Sequence, residues 1–379
     1  MNVIISREPV LNRNRAITAN RLVAHTAGGA DAGTRVAAAL NEMADVWPGA
    51  RSVFLGLGGV APDLGLLEWQ IPQNAMIEIP AASLAEPATA ELLQRLAAAG
   101  VPVCLDGYSP GMALPAAAQF RFVLADAAAT VQGAPGLLLA KGVVDNSQFD
   151  ACLQKGFGGA TGWFFLYGAK PSKKLTPGQA QTIRLLNLVR ANADIKEIEA
   201  ALKLDVALSV KLLRYINSAG FGLAVEIQSF RHAVTMLGYD KLNKWLSLLL
   251  VTSSKDPAAP ALMQTAIARG RFMEVVARGC LDKSELDNLF ITGAFSLLDI
   301  LLGVLMEVAL EEMHLPESIN AALVSRAGPY APFLELALAG ERGDTAAFAA
   351  KAASLQLSAA TINRAQFEAL SFADSLQVS

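Results

Sequence analysis

Side chains able to carry chemistry are sparse in this chain of 379 residues, which has three cysteines and three histidines. Cys104, Cys152 and Cys280 are far apart and odd in number, a pattern that makes neither a disulfide framework nor a zinc knuckle. They read as buried free thiols. His232 follows Arg231 at the first turn of a helical pattern, and a hydrogen-bonding structural role fits it better than that of a general base. Glycines in LGLGGVAP and KGFGGATGW would suit a phosphate cradle, but neither run has the ordered GxGxxG or Gly-Lys-Ser spacing. Glycines at strand ends are ordinary in βα folds. Base reading is the remaining candidate chemistry, because IKEIEAALKLDVALSVKLLRYIN has the outline of a helix-turn-helix. Its second helix is mostly apolar, and residues 194–218 balance four basic against four acidic side chains. A recognition helix needs exposed polar groups and a positive surround, so nucleic acid is not an expected partner.

The composition supports cores large enough for more than one domain. Hydrophobic residues make up 53% and charged residues 17%, too apolar for a disordered chain, and the length exceeds that at which one core stops growing. The net charge of −3 arises in residues 1–168, with 10 basic and 13 acidic side chains; the remainder balances 21 against 21. Neither part has the basic excess of a phosphate binder. The apolar run nearest to a membrane span, Phe295 to Leu310, is interrupted by Asp299 and Glu307. The N-terminus MNVIISREPV lacks the pattern of a secretion signal, and a cytoplasmic location is expected.

The elements that must position any site change character near residue 170. Before it, Val53–Leu57, Met76–Ile79, Val101–Leu105, Phe120–Leu124 and Leu137–Ala140 are apolar runs of strand length. Helical spacing fills Asp31–Val46, Pro87–Ala99 and Ser147–Lys155. That alternation predicts βα units around a parallel sheet. GAKPSKKLTPGQ then reads as a linker (about 168–176), with Thr176 as N-cap and Pro177 at the first helical position. Beyond it the pattern is helical. Asp194 with Glu197 forms an expected capping box, Ser284 an expected cap, and Gly343-Asp344 a further helix start.

SVKLLRYINSAGFGLAVEIQSFRHAVTMLGYDKLNKWL, from Ser209 to Leu246, places an apolar stripe up to Ile216 on one helix. A corner at Asn217, Ser218 and Gly220 follows, then Ser229 as N-cap, a buried face of Ala233, Val234, Met236 and Leu237, and a stop at Gly238. These residues resemble the core signature of HDOD domains, the all-helical output modules of bacterial signalling proteins, with Asn217, Ser218, Gly220, His232 and Gly238 as the matching positions. HDOD domains are relatives of the HD phosphohydrolases without their metal-binding His and Asp. Accordingly FSLLDILLG has Leu298 before Asp299, which is expected to be a helix-face or loop carboxylate. MEVALEEMHLPESINAAL resembles the C-terminal signature of EAL-HDOD tandem proteins. An interaction module of this kind should carry an apolar groove, with Phe221 and Leu223 as candidate contributors, although burial of both in the core is the stronger expectation. Lys241 and Lys244 are expected on the surface of the following helix, where charge reversal would test partner recruitment.

Phrases in residues 1–168 resemble, in order, the EAL domain, a TIM-type barrel that hydrolyses cyclic di-GMP with divalent metals. In REPVLNRNRAITANRLVAH, Arg21 stands where that family has its signature glutamate and His25 where it has an arginine. VFLGLGG has Gly56 for a metal-binding asparagine, MIEIP keeps Glu78, and VCLDGYSPG keeps Asp106 but has Gly107 for a second aspartate. VLAD has Leu124 for a lysine, LLAKGVVD has Lys141 for a glutamate, and FGGATGWFF resembles the closing strand. The resemblance implies a barrel that has lost its catalytic set. Glu78 and Asp106 alone cannot hold two hard cations; either they pair with Arg21 and Lys141 instead or all four are partly solvated, and in both cases no catalytic residue, metal or cofactor is expected. Arg7, Arg21, Tyr108 and Lys141 are the candidates for a ligand-contacting mouth. A full barrel takes about 250 residues, so a truncated barrel, with a helix lost between Asp126 and Leu137 and its sheet opened or a helix-binding face exposed, is expected.

The expected protein is thus α/β plus all-α: a degenerate EAL domain (1–168) followed by an all-helical HDOD domain (169–379). It would be a non-enzymatic signalling protein acting through a protein partner in cyclic di-GMP-related pathways. The alternatives are a cyclic di-GMP receptor or weak phosphodiesterase with altered contacts, or a DNA-binding regulator.

Overall fold

The computed structural model describes residues 3–26, 29, 31–115, 119–131, 133–167, 174–203, 217, 227, 229–251, 257–311 and 313–376, without the side chains of residues 203, 240, 241, 245 and 248–251. Two compact units divide the chain. The first comprises Met1–Gly168 with Leu338–Phe367, and the second Ala169–Ala337 with Glu368–Ser379.

The first unit is a closed eight-stranded barrel. Its strands are β1 (Ile4–Asn12), β2 (Ile17–His25), β3 (Ser52–Leu57), β4 (Ala75–Pro80), β5 (Val103–Asp106), β6 (Phe120–Asp126), β7 (Leu137–Lys141) and β8 (Gly159–Thr161). Helices α1 (Ala32–Asn41), α2 (Pro87–Ala98) and α3 (Asn146–Gln154) lie between β2 and β3, β4 and β5, and β7 and β8. All five apolar runs read from the sequence are strands. The sheet does not open, contrary to the expectation from chain length. β1 runs antiparallel to both neighbours, β2 and β8, and closes the ring, while β2 to β8 pair in parallel. Economy comes from the connections, since no helix is found among the described residues of 107–119 and 127–136.

Strand alternation sorts the side chains into layers, as barrel interiors require. Val10, Ala19, Phe54, Met76, Cys104 and Leu139 form an apolar floor, with Phe122 packed against it and Leu124 joining it. Glu8, Arg21, Gly56, Glu78, Asp106, Leu124 and Lys141 each lie two residues along the same strands and therefore face the same interior.

The first unit also uses sequence far from its strands. Asn363, 1% exposed, accepts the Ile5 N–H through Oδ1 at 3.0 Å and donates from Nδ2 to the Val3 carbonyl at 2.8 Å, while Gln366 donates to the Ile5 carbonyl at 2.8 Å. Arg364 forks onto Asp45 at 2.7 and 2.9 Å, and Phe367 meets Trp47 edge-on at 5.3 Å. Asn363→Ala leaves the Ile5 N–H on β1 and the Val3 carbonyl just before it without their side-chain partner, at a cost of about 2–3 kcal/mol. Urea denaturation checks this, and a wild-type midpoint would contradict it.

The second unit is helical. Its principal helices are α4 (Pro177–Arg190), α5 (Ile195–Lys203), α6 (Phe230–Val251), α7 (Ala259–Val276) and α8 (Lys283–Phe295). Thr176 and Gln179 close a capping box at the start of α4. The Asp194 carboxylate accepts from the Lys196 N–H at 2.8 Å. The cap of α8 is Asp282, not Ser284: its carboxylate accepts the Glu285 N–H, and Ser284 donates to the same carboxylate. In the part of the first unit drawn from Leu338–Phe367, Asp344 caps Thr345–Ser354 as expected. Ser229 accepts the His232 N–H at 3.2 Å, and Gly238, at φ 75°, interrupts the helical backbone within α6. The face expected after Ser229 is only half buried: Ala233 and Val234 are buried, whereas Met236 is 49% exposed. α7 and α8 cross almost backbone to backbone at Gly270 and Gly293, where a Cβ on Gly293 would meet the Gly270 Cα at 2.6 Å. Cys104 and Cys152 are buried thiols, but Cys280, expected to be buried, is exposed on the turn after α7.

Candidate functional site

The interior layer above the barrel floor holds a cluster of charged side chains. Arg21, on β2, is its centre. Nε donates to Glu78 Oε2 at 2.7 Å and Nη2 to Glu78 Oε1 at 2.6 Å, a bidentate fork, while Nη1 donates to Glu8 Oε2 at 2.9 Å. Asp106 Oδ2 lies 3.6 Å from Nη2, and Asp106 Oδ1 accepts from Lys141 Nζ at 2.5 Å. Side-chain exposure is 9% for Arg21 and 4% for Glu78. Burial opposes the Arg21 charge, but the bonds to Glu78 and the charges of Glu78, Glu8 and Asp106 outweigh it and hold the guanidinium ionised far above neutral pH. Burial pushes the Glu78 carboxyl up, and Arg21 acts against that push.

The other positions make room for this arrangement or bound it. A Cβ on Gly56 would lie 2.8 Å from Glu78 Oε1, so the carboxylate fills the space that a side chain on β3 would need. Leu124 is fully buried and apolar. Gly107 turns the chain out of β5 at φ 83°, a conformation that leads to glycine rather than to an acidic side chain. Further towards the mouth, His25 Nε2 and Ser6 Oγ share a 2.9 Å hydrogen bond. Burial and then the Arg21 charge lower the His25 pKa, with Glu8 opposing.

Two of the four residues proposed for a ligand-contacting mouth are placed otherwise. Arg7 lies between Ser6 and Glu8 on β1 and so faces the opposite side of the sheet; it donates to Asn20 Oδ1 at 2.8 Å and stacks over Trp163 at 5.3 Å. Tyr108 is 7% exposed, with its hydroxyl 3.5 Å from the Gly133 carbonyl. Glu8 and Ser6 join the site without having been singled out from the sequence. The signal was there in strand alternation, which puts both on the face opposite to Arg7.

Divalent metals do not fit this layer. Both oxygens of Glu78 are taken by Arg21, Asp106 is taken by Lys141 and faces Arg21, and Gly56 and Leu124 supply no donor. Among the described residues no group of three or more His, Cys, Asp or Glu could hold a metal ion.

In the second unit Asn217 clamps its corner, donating to the Ile227 carbonyl at 2.8 Å and accepting the Ile227 N–H at 2.7 Å. Ser218, Gly220, Phe221 and Leu223 lie outside the described residues, as does the Lys241 side chain. Lys244 is not on the surface. It is 8% exposed, 3.1 Å from both Glu274 and Asp287 and 4.1 Å over the Phe290 ring, and so joins α6, α7 and α8. Asp299 stands in the first turn of Leu298–Leu302, and burial raises its carboxyl, with Arg269 and Arg326 opposing. A groove of about 450 Å³ runs along α4, lined by Ala180, Ile183, Arg184, Asn187, Leu188 and Ala191 together with His314. No described helix is long and apolar enough to cross a membrane.

The chain is 31% identical over 220 residues to Cyclic di-GMP phosphodiesterase CdgJ of Vibrio cholerae serotype O1, a match covering 56% of this chain and 50% of that protein. It is 26% identical over 216 residues to Uncharacterized protein YuxH of Bacillus subtilis (strain 168), covering 54% of this chain and 51% of that protein. The matches thus span about half the length of each curated relative. A solved chain from Shewanella amazonensis SB2B is 15% identical, with a TM-score of 0.38 over 55% of this chain and 95% of its own, too distant to carry an argument. A family model for the HDOD domain matches residues 176–315. Those residues hold the Thr176 cap, the Asn217 corner, the Gly238 interruption and the Lys244 cluster: the helical part of this chain contains an HDOD domain.

Proposed function

We propose that this chain is a signalling protein of the EAL-HDOD type that acts by binding, with a non-catalytic, degenerate EAL barrel as platform and the HDOD domain as the module that recruits a protein partner. The bidentate Arg21–Glu78 pair inside the barrel carries this reading. Metal-dependent phosphodiester hydrolysis needs free carboxylates to hold cations and activate water, and the carboxylates of this layer are committed to the chain's own cations. The relative named a cyclic di-GMP phosphodiesterase supports a place in cyclic di-GMP-related signalling. Binding of that dinucleotide as a retained ligand has less support, because Arg7 faces away from the layer and Tyr108 is buried.

Titration calorimetry of the whole chain with cyclic di-GMP, in Mg²⁺ and in Mn²⁺, tests the binding half of this reading. The expected result is no saturable heat. A saturable isotherm would make the barrel a receptor and would return attention to Lys141, whose side chain is 33% exposed.

A further inference from the structure

One face of α4 is spent on the core and another is not. Thr182, Leu185, Leu186 and Val189 are buried. Ala180, Arg184, Leu188 and Ala191 recur along a separate stripe that lines the groove of about 450 Å³, over buried Ile183 and with His314 supplied by another segment. Ala180, Arg184 and Ala191 are exposed, and Leu188 is half-buried. The stripe runs for about three turns, roughly 16 Å. Its far wall is fixed, because Asn187 Oδ1 accepts the His314 N–H at 3.2 Å and Arg190 Nε donates to the His314 carbonyl at 3.2 Å. We propose that this groove docks an acidic amphipathic helix of a protein partner, with apolar side chains against Ile183 and Leu188 and carboxylates against Arg184. The inference rests on the reading of the HDOD domain as the recruiting module and assigns that module a face and a partner chemistry.

Charge sets the sign of the partner. The lining holds a guanidinium and an imidazole and no acidic side chain. Arg184 has no ion pair among the described residues. Arg190, beside the groove at the end of α4, is half-buried, and its Nη1 is enclosed with no acceptor among the described residues. Burial lowers its pKa, and no acidic side chain acts against that. The carbonyl end of α4 offsets part of the Arg190 charge, an offset that Arg184, in mid-helix, lacks. Acidic groups are therefore drawn to this face and basic ones repelled. Shape sets the class of partner. Ala180 and Ala191 are small and let a second helix come close, and the length of the stripe suits the i, i+3 or i+4, i+7 anchors of a helix laid in a groove.

The test places the photo-cross-linker p-benzoylphenylalanine at Ala191 of the whole chain and, as a reference, at Met236, 49% exposed on the same domain, and irradiates the native host. The Ala191 chain should link to a protein. Mass spectrometry should find the linked segment richer in Asp and Glu than in Lys and Arg, and apolar at helical spacing. A synthetic peptide of that segment should bind the whole chain, and Arg184→Glu or Ala191→Glu, both at exposed positions, should weaken it about tenfold or more. Lysines in place of the peptide's acidic residues should restore binding to Arg184→Glu. A basic or non-amphipathic linked segment, a link to a second copy of this chain, or a peptide affinity that survives both substitutions overturns the inference. A link from Met236 with none from Ala191 also overturns it but leaves the recruitment reading standing, whereas no link from either position overturns both.

Discussion

Replacing Arg21 with methionine is expected to destabilise the barrel unit by about 3–5 kcal/mol, the cost of breaking a buried ion pair from one side. The effect is large because the guanidinium serves three partners at once. Its removal leaves Glu78, 4% exposed, without its bidentate partner and takes the same cation away from Glu8 and Asp106. In a domain of this size the loss corresponds to a fall in melting temperature of about 6–20 °C. The double variant Arg21→Met/Glu78→Met is expected to recover most of it, since a buried pair exchanged for apolar groups of similar volume is often near neutral. Calorimetric melts of the two variants decide the matter. A single variant that melts with the wild type, or a double variant no better than the single, would mean that the pair is solvated and contributes little.

The second large effect is expected at Lys244. Lys244→Glu puts a third carboxylate beside Glu274 and Asp287 in a site 8% exposed, at a cost of at least about 3–5 kcal/mol. It also removes the cation held 4.1 Å over the Phe290 ring. Loss of partner recruitment in this variant would therefore report unfolding of the HDOD domain, not a damaged surface. Urea denaturation followed by circular dichroism checks the expectation, and an unchanged midpoint would return Lys244 to the surface.

Much of the barrel was legible because strands and helices write their periods locally. The apolar runs at Val53, Met76, Val101, Phe120 and Leu137 are bounded by turn residues, and each became a strand. The pairing of Glu78 and Asp106 with Arg21 and Lys141 was suggested by opposite charge only because the resemblance to the EAL domain had put the four positions at one end of a barrel. Glu8 and Ser6 were missed because attention went to the charge of Arg7, whereas position along β1 decides which side chain reaches the interior. The contribution of Leu338–Phe367 to the first unit was invisible: Asn363 finds the β1 backbone across some 360 residues of sequence, and no local period records that. Closure of the ring was misjudged for a related reason. Chain length counts residues, but an antiparallel β1 that pairs on both sides closes a sheet without long crossovers. Lys244 was read as a surface charge because lysines are seldom buried unless paired, and its partners sit 30 and 43 positions away. The cap at Asp282 was missed by two residues because Ser284, an equally good cap type, lies beside it.

Metal-dependent hydrolysis is where the account is most exposed. The whole chain, incubated with cyclic di-GMP and Mg²⁺ or Mn²⁺, can be assayed by chromatography for the linear dinucleotide. With Glu78 and Asp106 held by Arg21 and Lys141, no product above the protein-free control is expected. A metal-dependent product that disappears in Glu78→Gln would contradict the account, because it would show those carboxylates to be available to a metal and the barrel to be an enzyme.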